Sequence, residues 1–229
     1  MAHFCRLLSR LWEAWKLDNW WKNVRFEATG LARCLLCLGP VKGRRLCSGC
    51  ERDLPWRGLE TRLSGRNQTQ RFASFSYTFP IRQLIAQAKF SDRVGIGTLL
   101  GGLMGEHPPQ LDLTGFVVCA VPIAYVRHLT RGYNQAFLLA QPLARQLGLA
   151  LLPTDSLRRV HTKPQRQLGR RARYRNLRGA FYASAAVAGQ KILLIDDVLT
   201  TGATFYCASR ALFSAGAVEV VAWACASVD

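Results

Sequence analysis

Acidic residues are scarce in this chain: 14 Asp and Glu stand against 31 Lys and Arg in 229 residues, a formal net charge of +17 and a pI near 10.3. An ordinary enzyme of this size is seldom so basic. The imbalance points to a polyanionic partner, nucleic acid first and an anionic membrane surface second. A solubilising surface charge is the plainer alternative. No apolar run reaches the length of a membrane-crossing helix, so none is expected. The first residues lack a compact apolar core followed by a small-residue cleavage site, so no secretory signal is expected and the chain is assigned to the cytoplasm. There is no low-complexity tract, and no internal repeat beyond a pair of cysteine knuckles.

Cysteine is not scarce. Cys34, Cys37, Cys47 and Cys50 form the pattern C-x2-C-x9-C-x2-C. Each pair can curl two thiolates toward one ion, and two such knuckles complete a tetrahedral shell suited to structural zinc. Four protein ligands leave no open position for catalysis. Gly39-Pro40 and Gly43-Arg44-Arg45 read as a small hairpin between the knuckles. Cys119, Cys207 and Cys225 sit in apolar or small-residue surroundings and read as buried thiols.

Residues Lys191 to Thr204 read K-I-L-L-I-D-D-V-L-T-T-G-A-T. Ile192 to Ile195 have the length of a buried strand. They run into two carboxylates, Asp196 and Asp197, and then into Thr200, Thr201, Gly202, Ala203 and Thr204. That last stretch has the chemistry of a turn opening a helix, where free backbone N–H groups and the helix dipole attract an anion. Two carboxylates at the end of a strand can hold sugar hydroxyls or waters on a metal ion. A phosphate cradle beside a diol clamp suits a ribose 5-phosphate.

Along the rest of the chain, Phe4, Leu7, Leu8, Leu11, Trp12 and Trp15 recur at helical spacing among Arg6, Arg10 and Lys16. Residues 4–22 could lie on a membrane surface, although most amphipathic helices pack on their own core or on a partner. Residues 1–30 are set apart as a Trp-rich basic extension, 31–57 as the cysteine module, 58–71 as a linker and 72–229 as the main domain. Within that domain, 72–79 alternate like a half-buried strand, and helices are expected from Pro80 to about Phe90 and from Ile96 to Glu106. Strands are expected at Phe116 to Val121, Leu149 to Pro153, Phe181 to Ala183, Ile192 to Ile195 and Val218 to Cys225. Helices are expected up to Gln146, with a kink at Pro142, and from Ala203 to Ala215. Strands alternating with helices imply an α/β fold with a parallel sheet and right-handed crossovers, and ligands bind at the carboxyl ends of such strands.

Residues 158–178 carry Arg158, Arg159, Lys163, Arg166, Arg170, Arg171, Arg173, Arg175 and Arg178 without one acid between. Thr162, Gln165, Gln167, Tyr174 and Asn176 are interleaved. Cations with a few polar and aromatic side chains suit a phosphate backbone with occasional base contacts.

The segment 191–204 resembles the phosphoribosyl-pyrophosphate (PRPP) motif of type I phosphoribosyltransferases. Three further stretches narrow the resemblance: V-P-I…R-H-L-T-R-G-Y-N-Q-A at 121–136, T-K-P-Q-R-Q-L-G-R-R-A-R-Y-R-N-L-R-G-A-F at 162–181, and the knuckle pair. Together they are similar to the ComF family, which includes GntX-type proteins tied to natural competence and to use of external DNA. The likeness covers roughly residues 31–227. It implies a type I phosphoribosyltransferase-like parallel sheet with flanking helices, plus a small N-terminal four-cysteine zinc-ribbon or knuckle module. It further implies that Asp196 and Asp197 clasp the ribose hydroxyls, directly or through Mg2+, as the catalytic carboxylates. Thr200 to Thr204 would cradle the 5-phosphate, Arg127 and Arg131 would hold the diphosphate, and 158–178 would be a hood loop over PRPP.

Three functions fit these residues. One is a single-stranded DNA handling protein of the transformation machinery that binds PRPP or a nucleotide, with a helicase-type partner and contact with the inner face of the membrane. Another is an active phosphoribosyltransferase of nucleotide metabolism or salvage with no DNA role. It would need no Ser/His or Cys/His nucleophile, but no base pocket is legible. The third is a PRPP sensor whose output is nucleic-acid binding.

Overall fold

The computed structural model describes residues 32–43, 45–57, 69–89, 94–123, 132–160, 177 and 179–228. The chain divides into two units, Met1–Leu54 and Pro55–Asp229. Among the described residues, no helix is long and apolar enough to cross a membrane.

In the first unit, β1 (Ala32–Arg33) pairs antiparallel with β2 (Pro40–Val41), and a short helix, α1 (Ser48–Arg52), follows. Leu38 takes a positive φ of 61° at the turn. Among the described residues of this unit, Cys34, Val41, Leu46 and Leu54 are the buried hydrophobics, and a core this small commonly relies on cross-links.

The second unit is built on five parallel strands in the order β3 (Gln70–Ser76), β9 (Glu219–Ser227), β8 (Lys191–Leu199), β4 (Phe116–Ala120) and β5 (Ala150–Leu151). Helices α2 (Ile81–Gln87), α3 (Val94–Glu106), α4 (Gln135–Leu147) and α5 (Ala203–Ser214) connect or flank them. A separate antiparallel pair joins β6 (Leu157–Arg159) to β7 (Phe181–Ala183). The α/β class and the parallel sheet agree with the order of patterns in the sequence.

Ile192, Leu193, Leu194 and Ile195 of β8 are fully buried, as a central strand covered on both faces must be. Ile192 and Leu194 pack with Ala222, Ala224 and with Phe205, Ala208 and Leu212 of α5. Trp223 of β9 is also fully buried, and its indole N–H donates to Ser74 Oγ of β3 at 2.9 Å.

Several boundaries differ from expectation. β3 starts at Gln70, inside the stretch read as linker, and Arg71 to Phe75 are buried rather than alternating. The cause is cover on its outer edge: Ser76 N–H donates to Pro55 O, Arg57 N–H donates to Ser74 O, and the Trp56 ring lies 4.4 Å from that of Phe75. Pro55 to Arg57, grouped in the sequence with the cysteines, thus serve the sheet. β8 runs on to Leu199, past both carboxylates, because its pairing with β9 continues through Val198 and Leu199. β5 shrinks to two residues because it has one neighbour, β4.

Helix α4 continues across Pro142, and the neighbouring helix explains how the ring is accommodated. Gly97, Gly101 and Gly105 form a bare stripe on α3 against α4. A Cβ on Gly97 would stand 2.9 Å from Leu138 Cβ, and one on Gly101 would collide with the Leu139 carbonyl and stand 2.7 Å from Pro142 Cγ. The proline ring fills the space that the glycine leaves. Gly101→Ala is therefore expected to lower the unfolding free energy by about 1–3 kcal/mol. Gly102→Ala on the same helix, where a Cβ would meet nothing within 4 Å, should raise it by up to about 1 kcal/mol. Urea unfolding of the two variants checks the contact, which is wrong if both behave alike.

Candidate ribose-phosphate and metal sites

β4 and β8 are neighbours whose connections leave in opposite directions: β4 passes through α4 to β5, and β8 passes through α5 to β9. Loops that diverge from adjacent parallel strands leave a crevice at their carboxyl ends. β4 ends at Ala120, opposite Ile195. Asp196 and Asp197 follow directly, where β8 keeps β9 on one side and has lost β4 on the other.

The two carboxylates are held close together. Asp197 N–H donates to Asp196 Oδ1 at 2.9 Å, and Lys89 Nζ lies 3.5 Å from Asp197 Oδ2. Burial, and then the charge of Asp197, push the Asp196 carboxyl well above the ordinary carboxylate range; the Asp197 N–H, Arg159 and Lys89 oppose the shift. A divalent cation would relieve both causes, because it favours the charged form of each carboxylate.

The Thr/Gly turn follows. Gly202 has φ 74°, a backbone that L side chains rarely adopt, and it opens the 12-residue helix α5. Thr201 Oγ1 accepts from Ala203 N–H at 3.4 Å. Across the crevice, Asn134 caps α4 by accepting from Ala136 N–H at 3.1 Å, and its amide donates to Val121 O at 3.0 Å. One side chain thus fixes the end of β4 to the start of α4. Tyr133 Oη donates to Ala88 O at 2.7 Å, beside Lys89.

The structure therefore brings Asp196, Asp197, Thr200, Thr201, Gly202, Ala203 and Thr204 to one strand end. Arg127 and Arg131 lie outside the described residues, as do Lys163, Arg166, Arg170, Arg171, Arg173, Arg175 and Arg178 of the basic segment and residues 4–22. Arg158 is exposed and 3.5 Å from Asp155. Arg159 lies over the Phe181 ring, 5.4 Å from its centroid, and its charge acts on Asp196. Lys89 was missed in the sequence, since a lone lysine after a short apolar helix carries no spacing signal.

In the first unit the ligand atoms of Cys34, Cys37, Cys47 and Cys50 all lie within 4.8 Å of one another. Cys34 Sγ accepts from Cys47 N–H and Cys47 Sγ from Cys50 N–H, both at 3.4 Å. The Cys50 N–H in particular lowers the Cys47 thiol to about 7, whereas burial raises Cys37 and Cys50. Four gathered sulfurs with backbone N–H donors fit a tetrahedral metal ion, which would stabilise the thiolates that burial disfavours.

The raised Asp196 value has a testable sign. An unfolded Asp ionises near about 4, so the native state holds its proton to higher pH. The resulting penalty is absent below about pH 4, grows as pH rises through the window above it, and is full once native Asp196 has ionised. In magnesium-free buffer, Asp196→Asn should melt near wild type at about pH 4 and above it at about pH 8. A gap that is constant with pH in thermal melts would contradict this.

No protein-family model matches the chain. The DNA utilization protein YhgH of Salmonella typhi is 38% identical over 204 residues, covering 83% of this chain and 88% of its own. YhgH of Escherichia coli K12 is 32% identical over 207 residues, covering 87% and 86%. Competence protein F of Haemophilus influenzae is 31% identical over 220 residues, covering 83% and 95%. Among solved structures, the glutamine PRPP amidotransferase of B. subtilis in complex with ADP and GMP aligns with a TM-score of 0.44 at 17% identity, over 70% of this chain and 32% of that one. By its sequence relatives, 31–38% identical over most of its length, this chain belongs to the ComF family.

Proposed function

We propose that the crevice at the end of β8 binds PRPP or a related ribose phosphate with Mg2+, and that the protein uses this site in DNA uptake and utilisation, binding single-stranded DNA. The observation that carries the ligand reading is the adjacency of Asp196 and Asp197 to the left-handed Gly202 turn at the start of α5. The carboxylates take the ribose hydroxyls, or Mg2+ coordinated to them, and Lys89 must give way or move to the ligand's own charge. The first turn of α5 offers N–H groups to the 5-phosphate. Arg127 and Arg131 are assigned to the diphosphate end. Mg2+ would supply charge neutralisation for the diphosphate.

The DNA part rests on the names of the relatives and on charge. The nine cations of 158–178 exceed what one PRPP needs. Beside the β6–β7 pair that carries Arg158 and Arg159, a groove of about 810 Å3 is lined by Phe181, Tyr182, Tyr206 and Arg210 among others. Tyr182 is 59% exposed, which leaves a ring face for stacking on a base. Attraction to a phosphate backbone of this origin weakens steeply with salt.

Phosphorus NMR of Mg-PRPP with the protein, with and without nucleobases and short single-stranded DNA, tests the reading. The PRPP signals should broaden, and Asp196→Asn with Asp197→Asn should weaken binding at least about a hundredfold. Undiminished binding by the double variant would refute the site assignment. Pyrophosphate appearing faster than in that variant would establish turnover and favour the transferase reading. Oligonucleotide affinity that is flat with salt would remove the DNA part.

Cys34, Cys37, Cys47 and Cys50 are assigned to structural zinc. Chelation should release about one zinc per chain and unfold the cysteine unit, with the sheet's melting transition retained. A colourimetric zinc assay with circular dichroism reads both, and a metal-free protein with an intact cysteine unit would exclude zinc.

A further inference from the structure

One buried charge is used by nothing described above. Arg71 on β3 is only 9% exposed. Its Nε is buried with no hydrogen-bond partner, and among the described residues no carboxylate pairs with its guanidinium. The group points at the phosphate-type turn. A Cβ on Gly202 would collide with Arg71 Nη1 and stand 3.1 Å from Cζ. The positive φ calls for a glycine here, and the guanidinium lies against the open side that it leaves.

Burial cannot neutralise a guanidinium, because it does not release its proton at accessible pH. An uncompensated buried cation destabilises a folded protein, and its retention calls for a compensating anion. The position offers one a place. The start of α5 already carries the positive end of the helix dipole and N–H groups that favour an anion. Gly202 has no side chain to cap that helix. Two positive elements that arise separately, a helix N-terminus and a side chain from a strand two places away in the sheet, meet at the same turn.

We propose that Arg71 is an anion-binding residue that, with the first turn of α5, holds the 5-phosphate of the ribose ligand. This rests on the ribose-phosphate reading above and adds to it a residue from outside the 191–204 segment. A dianionic phosphate monoester meets both elements at once, whereas each phosphate of a DNA backbone carries a single charge. Arg71 and Gly202 lie far apart in the chain, and only the order of strands in the sheet brings them together.

The test uses the full chain and its Arg71→Met and Arg71→Gln variants, with ribose 5-phosphate, pyrophosphate and an oligonucleotide lacking a terminal phosphate as probes in isothermal titration. Loss of the charge should weaken ribose 5-phosphate binding at least about tenfold. Pyrophosphate and oligonucleotide binding should stay close to wild type. Without ligand, Arg71→Met should melt at or above wild type, because an unpaired buried charge has been removed; a merely structural arginine predicts the reverse. Unchanged ribose 5-phosphate affinity in either variant overturns the role of Arg71 and leaves the site reading standing. A loss confined to the oligonucleotide overturns it in favour of a DNA contact. Failure of both variants to fold overturns it in favour of a structural role. A wild-type protein that does not bind ribose 5-phosphate overturns both this role and the site reading.

Discussion

The burial of β8 between β9 and β4 is the constraint on which the second unit depends. Four consecutive apolar residues, Ile192 to Ile195, have no exposure, so both faces of the strand must be covered and both its edges paired. α5 covers one face through Phe205, Ala208 and Leu212. The strand then outlasts β4 by several residues, and the carboxylates emerge where the sheet has lost a neighbour on one side. The position of the candidate site is thus a consequence of unequal strand lengths at a place where two crossovers diverge.

The site is electrostatically unsettled. Asp196 and Asp197 are adjacent and like-charged, with Lys89 3.5 Å from the second. Arg71, whose Nε is buried with no hydrogen-bond partner, lies against the turn at Gly202. Each of these arrangements costs stability on its own, and a ligand with a cation at one end and a phosphate at the other would relieve them together. Such strain is common where binding groups are fixed in advance of the ligand. The rest of the sheet, with its apolar strands and the Trp223–Ser74 hydrogen bond, supplies the rigidity that keeps those groups in place.

Close packing has its own device. The stripe Gly97, Gly101 and Gly105 lets α3 approach α4 until Pro142 fills the space at Gly101. The sequence alone reads Pro142 as a kink, from its missing N–H and its ring. Opposite a glycine stripe the same ring is a packing element. Similarly, β3 looked half-buried because its polar positions alternate, yet Pro55 to Arg57 cover its edge and its polar side chains find buried places.

The sequence by itself determined the strand–helix order, the adjacency of two carboxylates to a Thr-Gly turn, and the two cysteine knuckles. These are local: strand, turn and helix are contiguous between Lys191 and Ser214, and each knuckle is a single C-x2-C step. What only the tertiary structure decided was which distant groups join them. Lys89 reaches Asp197, the charge of Arg159 acts on Asp196, and Arg71 meets Gly202, each from another element. Hydrophobic periodicity specifies which face of an element is buried, but it does not specify strand order, and it is strand order that determines which charges become neighbours.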